Sequence, residues 1–379
     1  MVKRTFWFSR INQLWGHRPI IWLSGIRRSG KTVLCQSLPG TEYFDCELPR
    51  IRARMEDPEG FLESVKGKKI ILDEVHRLAD PAQLLKIAAD HYPDVRVIAT
   101  GSSTLEASAK FKDTLTGRKE TLWLTPLIQR DMEDFGNSDL EHRLLHGGLP
   151  PFFLEKKLPE RDFQEWMDSY WAKDIQELFR LERRASFQRF LELLLVNSGG
   201  IFEAAKYAVP CEVSRGTIAN YLKAMEATYV AHIVRPFSSH KPTEIVAAPK
   251  VFAFDTGFVC CFRGWEKLRR TDMGGLWEHL VLNEIMANLQ TRAVNYWRTK
   301  QGREIDFILP LRGGSAHAVE CKLSQKDFDP SAISSFRQVY EHGRNYAVCH
   351  DVDRPYNRRY GQIEVRVTGL KAFIDEISK

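Results

Sequence analysis

Residues Gly25 to Thr32 read Gly-Ile-Arg-Arg-Ser-Gly-Lys-Thr, and no other stretch of the 379-residue chain limits its fold so tightly. A glycine-bounded loop of this spacing works between a buried strand and a helix, as the phosphate-binding turn of an α/β sheet. Consecutive backbone N–H groups, freed from side-chain crowding by Gly25 and Gly30, can wrap a phosphate at the positive end of the helix. Ile20-Ile21-Trp22-Leu23 supplies the strand, and Thr32 to Leu38 the helix. Gly25, Arg28, Ser29, Gly30, Lys31 and Thr32 are therefore the candidate nucleotide-binding residues. Lys31 is expected to reach the terminal phosphates of ATP, and the Thr32 hydroxyl to ligate Mg2+.

Forty-one positions beyond Thr32, the run Lys68-Lys69-Ile70-Ile71-Leu72 ends in Asp73-Glu74. Asp73, at the carboxyl end of an apolar strand, is placed to hold the Mg2+ shell, and Glu74 to polarise the attacking water. Glu74 can instead solvate a strand end or cap a helix. The candidate strand Glu42-Tyr43-Phe44-Asp45 lies between the two motifs and suggests one strand inserted between the motif strands. With the adjacent Glu74, this points to the water-activating branch of P-loop enzymes and away from a nucleotide kinase. A third strand, Val95 to Thr100, precedes Gly101-Ser102-Ser103; Ser102 is the candidate γ-phosphate sensor, the alternative being an ordinary strand-to-turn junction. Arg118, before the strand Thr121 to Leu124, either completes the charge on a neighbour's nucleotide as an arginine finger or pairs with an acid on its own surface.

With 43% hydrophobic residues, a chain of this length fits roughly two or three domains. No apolar run is long enough to span a bilayer, and Met1 to Thr5 lacks the apolar core of a secretory signal, so a soluble, cytoplasmic protein with no membrane partner is expected. Seven scattered cysteines without a C-x-x-C pair predict reduced thiols and no zinc site. A net charge of +6 permits contact with nucleic acid without establishing it.

Beyond about residue 140 the strand signal fades. Phe163 to Glu182 and Phe187 to Leu195 carry helical periodicity, the latter stopped by Gly199-Gly200. Ser214 is a candidate N-cap for a helix carrying Arg215, Thr217 and Asn220 early, as a helix-turn-helix would, with extended segments near Val234 and Val251 as a wing. Such a unit contacts phosphates or serves as a protein-docking spacer. In the last third, a helix over Leu276–Ile285 carries Glu278, and two later strands carry Asp306 and Glu320-Cys321-Lys322. Alternate residues of a strand share a face, so Glu320 and Lys322 project together toward Asp306. That is the pattern of the PD-(D/E)xK nucleases, in which two carboxylates hold Mg2+ and a lysine assists the attacking water. Glu278 is a candidate further metal ligand; the plainer alternative is a single satisfied ion pair between Lys322 and a carboxylate.

Taken together, the chain resembles prokaryotic ATPases of the AAA superfamily that carry a C-terminal domain of unknown function with a restriction-endonuclease-like core. The resemblance rests on residues 25–32, Ile71-Leu72-Asp73-Glu74, Thr100 to Ser103, Gly117-Arg118, Gly147 to Pro150, Lys250 with Asp255-Thr256-Gly257, Leu276-Trp277-Glu278, Trp297-Arg298, Glu304 to Phe307 and Glu320-Cys321-Lys322. It departs mildly at the loop start, Gly-Ile-Arg-Arg, which leaves the phosphate-binding positions untouched. The resemblance implies an α/β architecture: a P-loop AAA-type ATPase module over 1–135, a helical and winged-helix region over 136–265, and a restriction-endonuclease-like α/β domain over 266–379. It also implies assembly into homo-oligomers with sites between subunits. The resulting expectation is an ATP-hydrolysing protein acting on DNA, with a Mg2+ nuclease site at Asp306, Glu320 and Lys322. The competing expectation is a regulatory ATPase switch or protein-binding module whose nuclease-like domain serves only for docking.

Overall fold

Near-continuous runs of Ile, Leu and Val make the first strands suited to burial on both faces, which is how a parallel sheet is covered. In the computed structural model, which describes residues 2–101, 111, 114–158, 160–176, 179, 181, 183–237 and 248–378, they form such a sheet. Strands β1 (Ile20–Gly25), β2 (Thr41–Asp45), β3 (Lys69–Asp73), β4 (Arg96–Thr100) and β5 (Lys119–Leu124) lie in the order β2-β3-β4-β1-β5. All neighbours are parallel.

One strand does separate β1 from β3, but it is β4 and not the segment 42–45. β2 sits at the sheet edge with only Phe44 buried, whereas β4 is buried from Val97 to Thr100. Strand burial, which sequence order does not report, decides which segment occupies the middle. The helix Lys31–Gln36 follows β1 with Gly30 at its N-cap in the left-handed region.

Helix Glu160–Tyr170 runs directly into a π-helical turn, Trp171–Gln176. Its buried face of Phe163, Trp166, Met167 and Tyr170 packs with the helix Arg184–Val196 and the helix Arg215–Ala227 in one apolar cluster. Ser214 caps the last of these, its Oγ accepting from the Thr217 amide at 3.1 Å. Arg215 and Asn220 are exposed on it.

The remaining strands are β6 (Gly200–Ile201), β7 (Ala231–Pro236), β8 (Lys250–Ala253), β9 (Asn295–Arg298), β10 (Glu304–Pro310), β11 (Ala316–Lys322), β12 (Asn345–Cys349), β13 (Tyr356–Tyr360) and β14 (Ile363–Thr368). They make a single sheet, β13-β14-β12-β11-β10-β9-β7-β8-β6. The segments expected as a wing pair antiparallel as β7 and β8, and β7 also joins β9 through Arg235 and Asn295, so one sheet runs across 265/266. The hydrogen-bonding edge of β7, which local sequence cannot assign, is taken by the C-terminal strands.

Helix Arg270–Leu289 carries twelve buried residues and docks the C-terminal unit against the first sheet. Its Asn283 donates to the Pro126 carbonyl at 3.2 Å, and Glu284 accepts from the Gln129 amide. Just beyond it, the Gln290 amide bonds both the N–H and the C=O of Trp123 on β5, at 2.7 and 3.1 Å. Among the described residues no helix is long and apolar enough to cross a membrane.

Candidate functional site

The turn after β1 takes the conformation its glycines permit. Gly25 has φ +145°, where a Cβ would run into the Leu124 carbonyl of β5, and Gly30 has φ +92°. Arg28 stands at φ +63°, an uncommon setting for a residue with a side chain. Lys31 folds back over the loop and donates to the carbonyls of Gly25 and Ile26 at 2.8 and 3.1 Å. Burial pulls its ammonium below the ordinary value, against the charges of Glu74 and Asp174.

Across the loop, the end of β3 presents Asp73 as an acceptor crowded by hydroxyls. Thr32 Oγ1 donates at 2.9 Å, Tyr43 OH at 2.5 Å, and Thr100 Oγ1 from β4 donates to the other oxygen. Thr32 and Asp73 thus meet, as a Mg2+ site on this turn requires, and among the described residues the hydrogen-bond partners of the carboxylate are three hydroxyls. Glu74 follows at φ +57°, its amide donating to Thr100 Oγ1 at 3.0 Å. His76 Nδ1 lies 3.1 Å from the Glu74 carboxylate. Burial would raise that carboxyl, but His76, Lys31 and Arg27 outweigh it and hold Glu74 below its usual range, ionised.

Lys31, Thr32, Glu74 and His76 line a cleft of about 760 Å³ that the middle of the chain closes on its far side. One wall is apolar, with Val33, Phe135, Pro150 and Leu154; another is polar, with Tyr170, Lys173, Asp174 and Thr228.

Several residues that shape the cleft carry no local sequence signal. Arg4, almost fully buried, donates to both oxygens of buried Asp131 at 2.9 and 2.6 Å and to the Ser29 carbonyl at 3.0 Å, bracing the turn from behind. Trp7 Nε1 and the Ile128 amide complete the Asp131 shell, each at 3.1 Å. Arg27 donates to Asp174 at 2.6 Å, and its carbonyl accepts from Trp166 Nε1 at 3.2 Å. The only advance hint was Arg27-Arg28 itself, two cations inside a phosphate loop.

Ser102 lies outside the described residues. Arg118 is placed beside the start of β1, since Lys119 pairs with Ile20 and Leu124 with Gly25, so it stands at the opposite end of the sheet from the loop. There it binds Asp90 through two nitrogens, at 2.6 and 3.0 Å.

The C-terminal residues do converge. The β10–β11 register pairs Phe307 with Val319, and continuing it sets Asp306 opposite Glu320 on one face. Lys322 Nζ lies 2.8 Å from Glu320 and 3.5 Å from Asp306, while the Cys321 amide donates to Asp306 at 2.8 Å. Burial and the charge of Asp306 push the carboxyls of Glu278 and Glu320 well above the ordinary range. Burial alone would lower the Lys322 ammonium; Asp306 and Glu320 outweigh it and keep it charged. Buried Lys250 of β8 also enters, paired with Glu304, which Arg298 approaches at 3.5 Å. Among the described residues, no three His, Cys, Asp or Glu side chains are arranged to hold a metal ion. The charges of Asp306 and Lys322 are both felt at Glu278 on the helix Arg270–Leu289, so the three acids share one neighbourhood, with the ammonium of Lys322 beside two of them.

Residues 17–133 match the AAA domain family. Residues 137–269 and 273–370 match two domains of unknown function, DUF8612 and DUF4143. An uncharacterized protein of Mycobacterium tuberculosis and its counterpart in Mycobacterium bovis are each 28% identical over 325 residues, covering 83% of this chain and 72% of theirs. A Walker-type ATPase of Pyrococcus abyssi superposes with a TM-score of 0.43 at 15% identity, over 69% of this chain and 96% of that one. Over residues 17–133 the chain is thus similar to the AAA domain family, and the turn after β1 has the glycine-bounded geometry of a phosphate-binding loop.

Proposed function

We propose that the chain binds ATP with Mg2+ in the cleft beside Lys31 and hydrolyses it, and that the C-terminal sheet acts on DNA. The observation that carries the first half is the meeting of Thr32, Asp73 and Glu74 under one phosphate-binding turn. Thr32 and Asp73 would hold Mg2+, which when bound neutralises charge on the terminal phosphates. Lys31, bonded among the described residues to the Gly25 and Ile26 carbonyls, exchanges them for phosphate oxygens. Glu74, held ionised beside His76, accepts a proton from the attacking water. Release of inorganic phosphate from ATP tests this: turnover by the native chain, lost in Lys31→Ala and in Glu74→Gln, is expected, and equal rates in all three would overturn it.

For the second half, Asp306 and Glu320 face each other across a hairpin with Lys322 alongside, which supports a phosphodiester-cleaving site. Mg2+-dependent nicking of plasmid DNA, abolished by Asp306→Ala and by Lys322→Ala, is the expected result. The direct clamp of Lys322 on both acids favours the second reading, an ATPase switch whose C-terminal unit only docks. On that reading no DNA form is cut, and DNA leaves ATP turnover unchanged.

A further inference from the structure

The P-loop carries one cation whose partner comes from another part of the fold. Arg27, two residues after Gly25, reaches out of the turn and donates to Asp174 at 2.6 Å. Asp174 sits on the π-helical turn Trp171–Gln176, at the end of the helix Glu160–Tyr170. A wide turn of this kind is rare, and such turns are frequent at functional sites. Both partners are about three-quarters covered, at 26% and 22% exposure, and both line the same cleft as Lys31 and Glu74.

The carboxylate is also felt at Lys31, whose ammonium it stabilises together with Glu74. Burial raises the Asp174 carboxyl while Arg27 and Lys31 oppose that rise, so the group stands paired on the side of the cleft that Arg27 faces. The helix bearing it is tied to the loop as well: Trp166 Nε1 holds the Arg27 carbonyl at 3.2 Å, and Tyr170 OH meets Thr228 Oγ1 at 2.7 Å. The next residue, Tyr229, donates from its hydroxyl to Ser24 Oγ on β1 at 3.0 Å.

We infer that Arg27 and Asp174 form a nucleotide-responsive latch, with Asp174 taking the counter-ion place that the phosphates claim when ATP enters. The inference rests on the ATP-binding reading of this cleft. A polyanion beside Asp174 repels its carboxylate and competes for Arg27, so binding and the Arg27–Asp174 pair are linked in opposite senses. Arg27 becomes a positioning residue for the phosphates once released. The π-helical turn, relieved of its partner, is the element that carries the occupied state into the helix Glu160–Tyr170. Linkage makes this reciprocal: whatever moves that helix changes nucleotide affinity by the same factor.

The test uses the full chain, Mg2+ and a non-hydrolysable ATP analogue, with Kd read by titration calorimetry. Asp174→Asn removes the competing charge and is expected to tighten binding by about fivefold. Arg27→Gln removes the released cation and is expected to weaken it by about fivefold, both at the low end of usual coupling factors. A pair with a merely structural role would shift both variants the same way, so shifts of like sign, or none, overturn the latch. Asp174→Glu, which keeps the charge, is expected to restore native affinity, and it decides the question against Arg27→Gln should the amide variant fail to fold. A thermal-unfolding double-mutant cycle of the two positions should show coupling without the analogue and little with it; equal coupling in both states also overturns the latch. Failure of the underlying reading is distinguishable, because the native chain would then bind no analogue and Lys31→Ala would match it. In that outcome the latch falls too.

Discussion

The cleft at the glycine-bounded loop and the C-terminal cluster both bring a lysine toward acids at the end of a β-strand, yet they treat the pair in opposite ways. At the P-loop, Lys31 bonds two main-chain carbonyls while Asp73 is occupied by the hydroxyls of Thr32, Tyr43 and Thr100. In the C-terminal sheet, Lys322 lies directly on Glu320 and Asp306. Hydroxyls and carbonyls are weak partners that a metal ion or phosphate can replace, whereas a charged pair must be broken first. Separation by the backbone leaves a cation and an anion both available to a ligand; direct pairing spends each on the other.

The sharpest way to break this contrast is at Lys31. Lys31→Ala should reduce ATP turnover by on the order of a thousandfold or more, since the terminal phosphates lose the loop's lysine ammonium. Its unfolding midpoint should stay within about 2 °C of native, because only bonds to carbonyls are lost. A steady-state phosphate assay beside a melting curve checks both halves.

Next in size is a pH effect at the joint between the two units. Burial pushes the Glu284 carboxyl from 4.5 up to about 7. The folded chain then holds a proton that the unfolded chain has released, so this group's contribution to stability is full below about pH 4.5, declines as pH rises toward 7 and is flat above. Glu284→Gln keeps an acceptor for the Gln129 amide without the charge. The stability of the native chain relative to this variant should fall by up to about 3 kcal/mol across that window, read by denaturant titrations at several pH values.

Glu74→Gln comes third. Turnover should drop about a hundredfold while affinity for the ATP analogue is retained, separating proton acceptance from binding. Loss of affinity along with turnover would mean that Glu74 helps hold the cleft together.

The smallest effect sharpens the comparison from the other side. Lys322→Met leaves Asp306 and Glu320 facing each other without their shared cation, and should lower stability by about 1 kcal/mol after allowing for the part of Lys322 that water screens. Mg2+ should recover more of that loss in the variant than in the native chain, visible as a larger shift in melting temperature. No shift in either would argue that the acids never take a metal.

What could be read in advance follows from how local each contact is. The cap at Ser214 is set by neighbours along the chain, while Thr32 and Asp73, 41 positions apart, belong to two motifs whose residue types announce their bond. Asp306, Glu320 and Lys322 were legible because strand alternation and hairpin spacing together place them on one face. Arg4 with Asp131, 127 positions apart, was not legible, nor was Arg27 with Asp174, 147 apart. Each looks in isolation like an ordinary surface charge, and only the packing of distant helices brings the partners together. The same holds for Lys250, whose approach to Glu304 depends on β7 joining β9. β4 took the inserted place in the first sheet for a related reason: order within a sheet is fixed by which strand can be covered on both faces.

The grip of Gln290 on Trp123 has one more consequence. β5 is the outermost ribbon of the first sheet on that side, and its outward N–H and C=O at Trp123 are both satisfied by a single side-chain amide. That amide imitates one residue of a sixth strand and stops there, so a second chain finds no free rung at this point on which to begin zippering. Severing the last third of the polypeptide would therefore do more than remove a module: it would uncover a sticky border, and the remainder should clump.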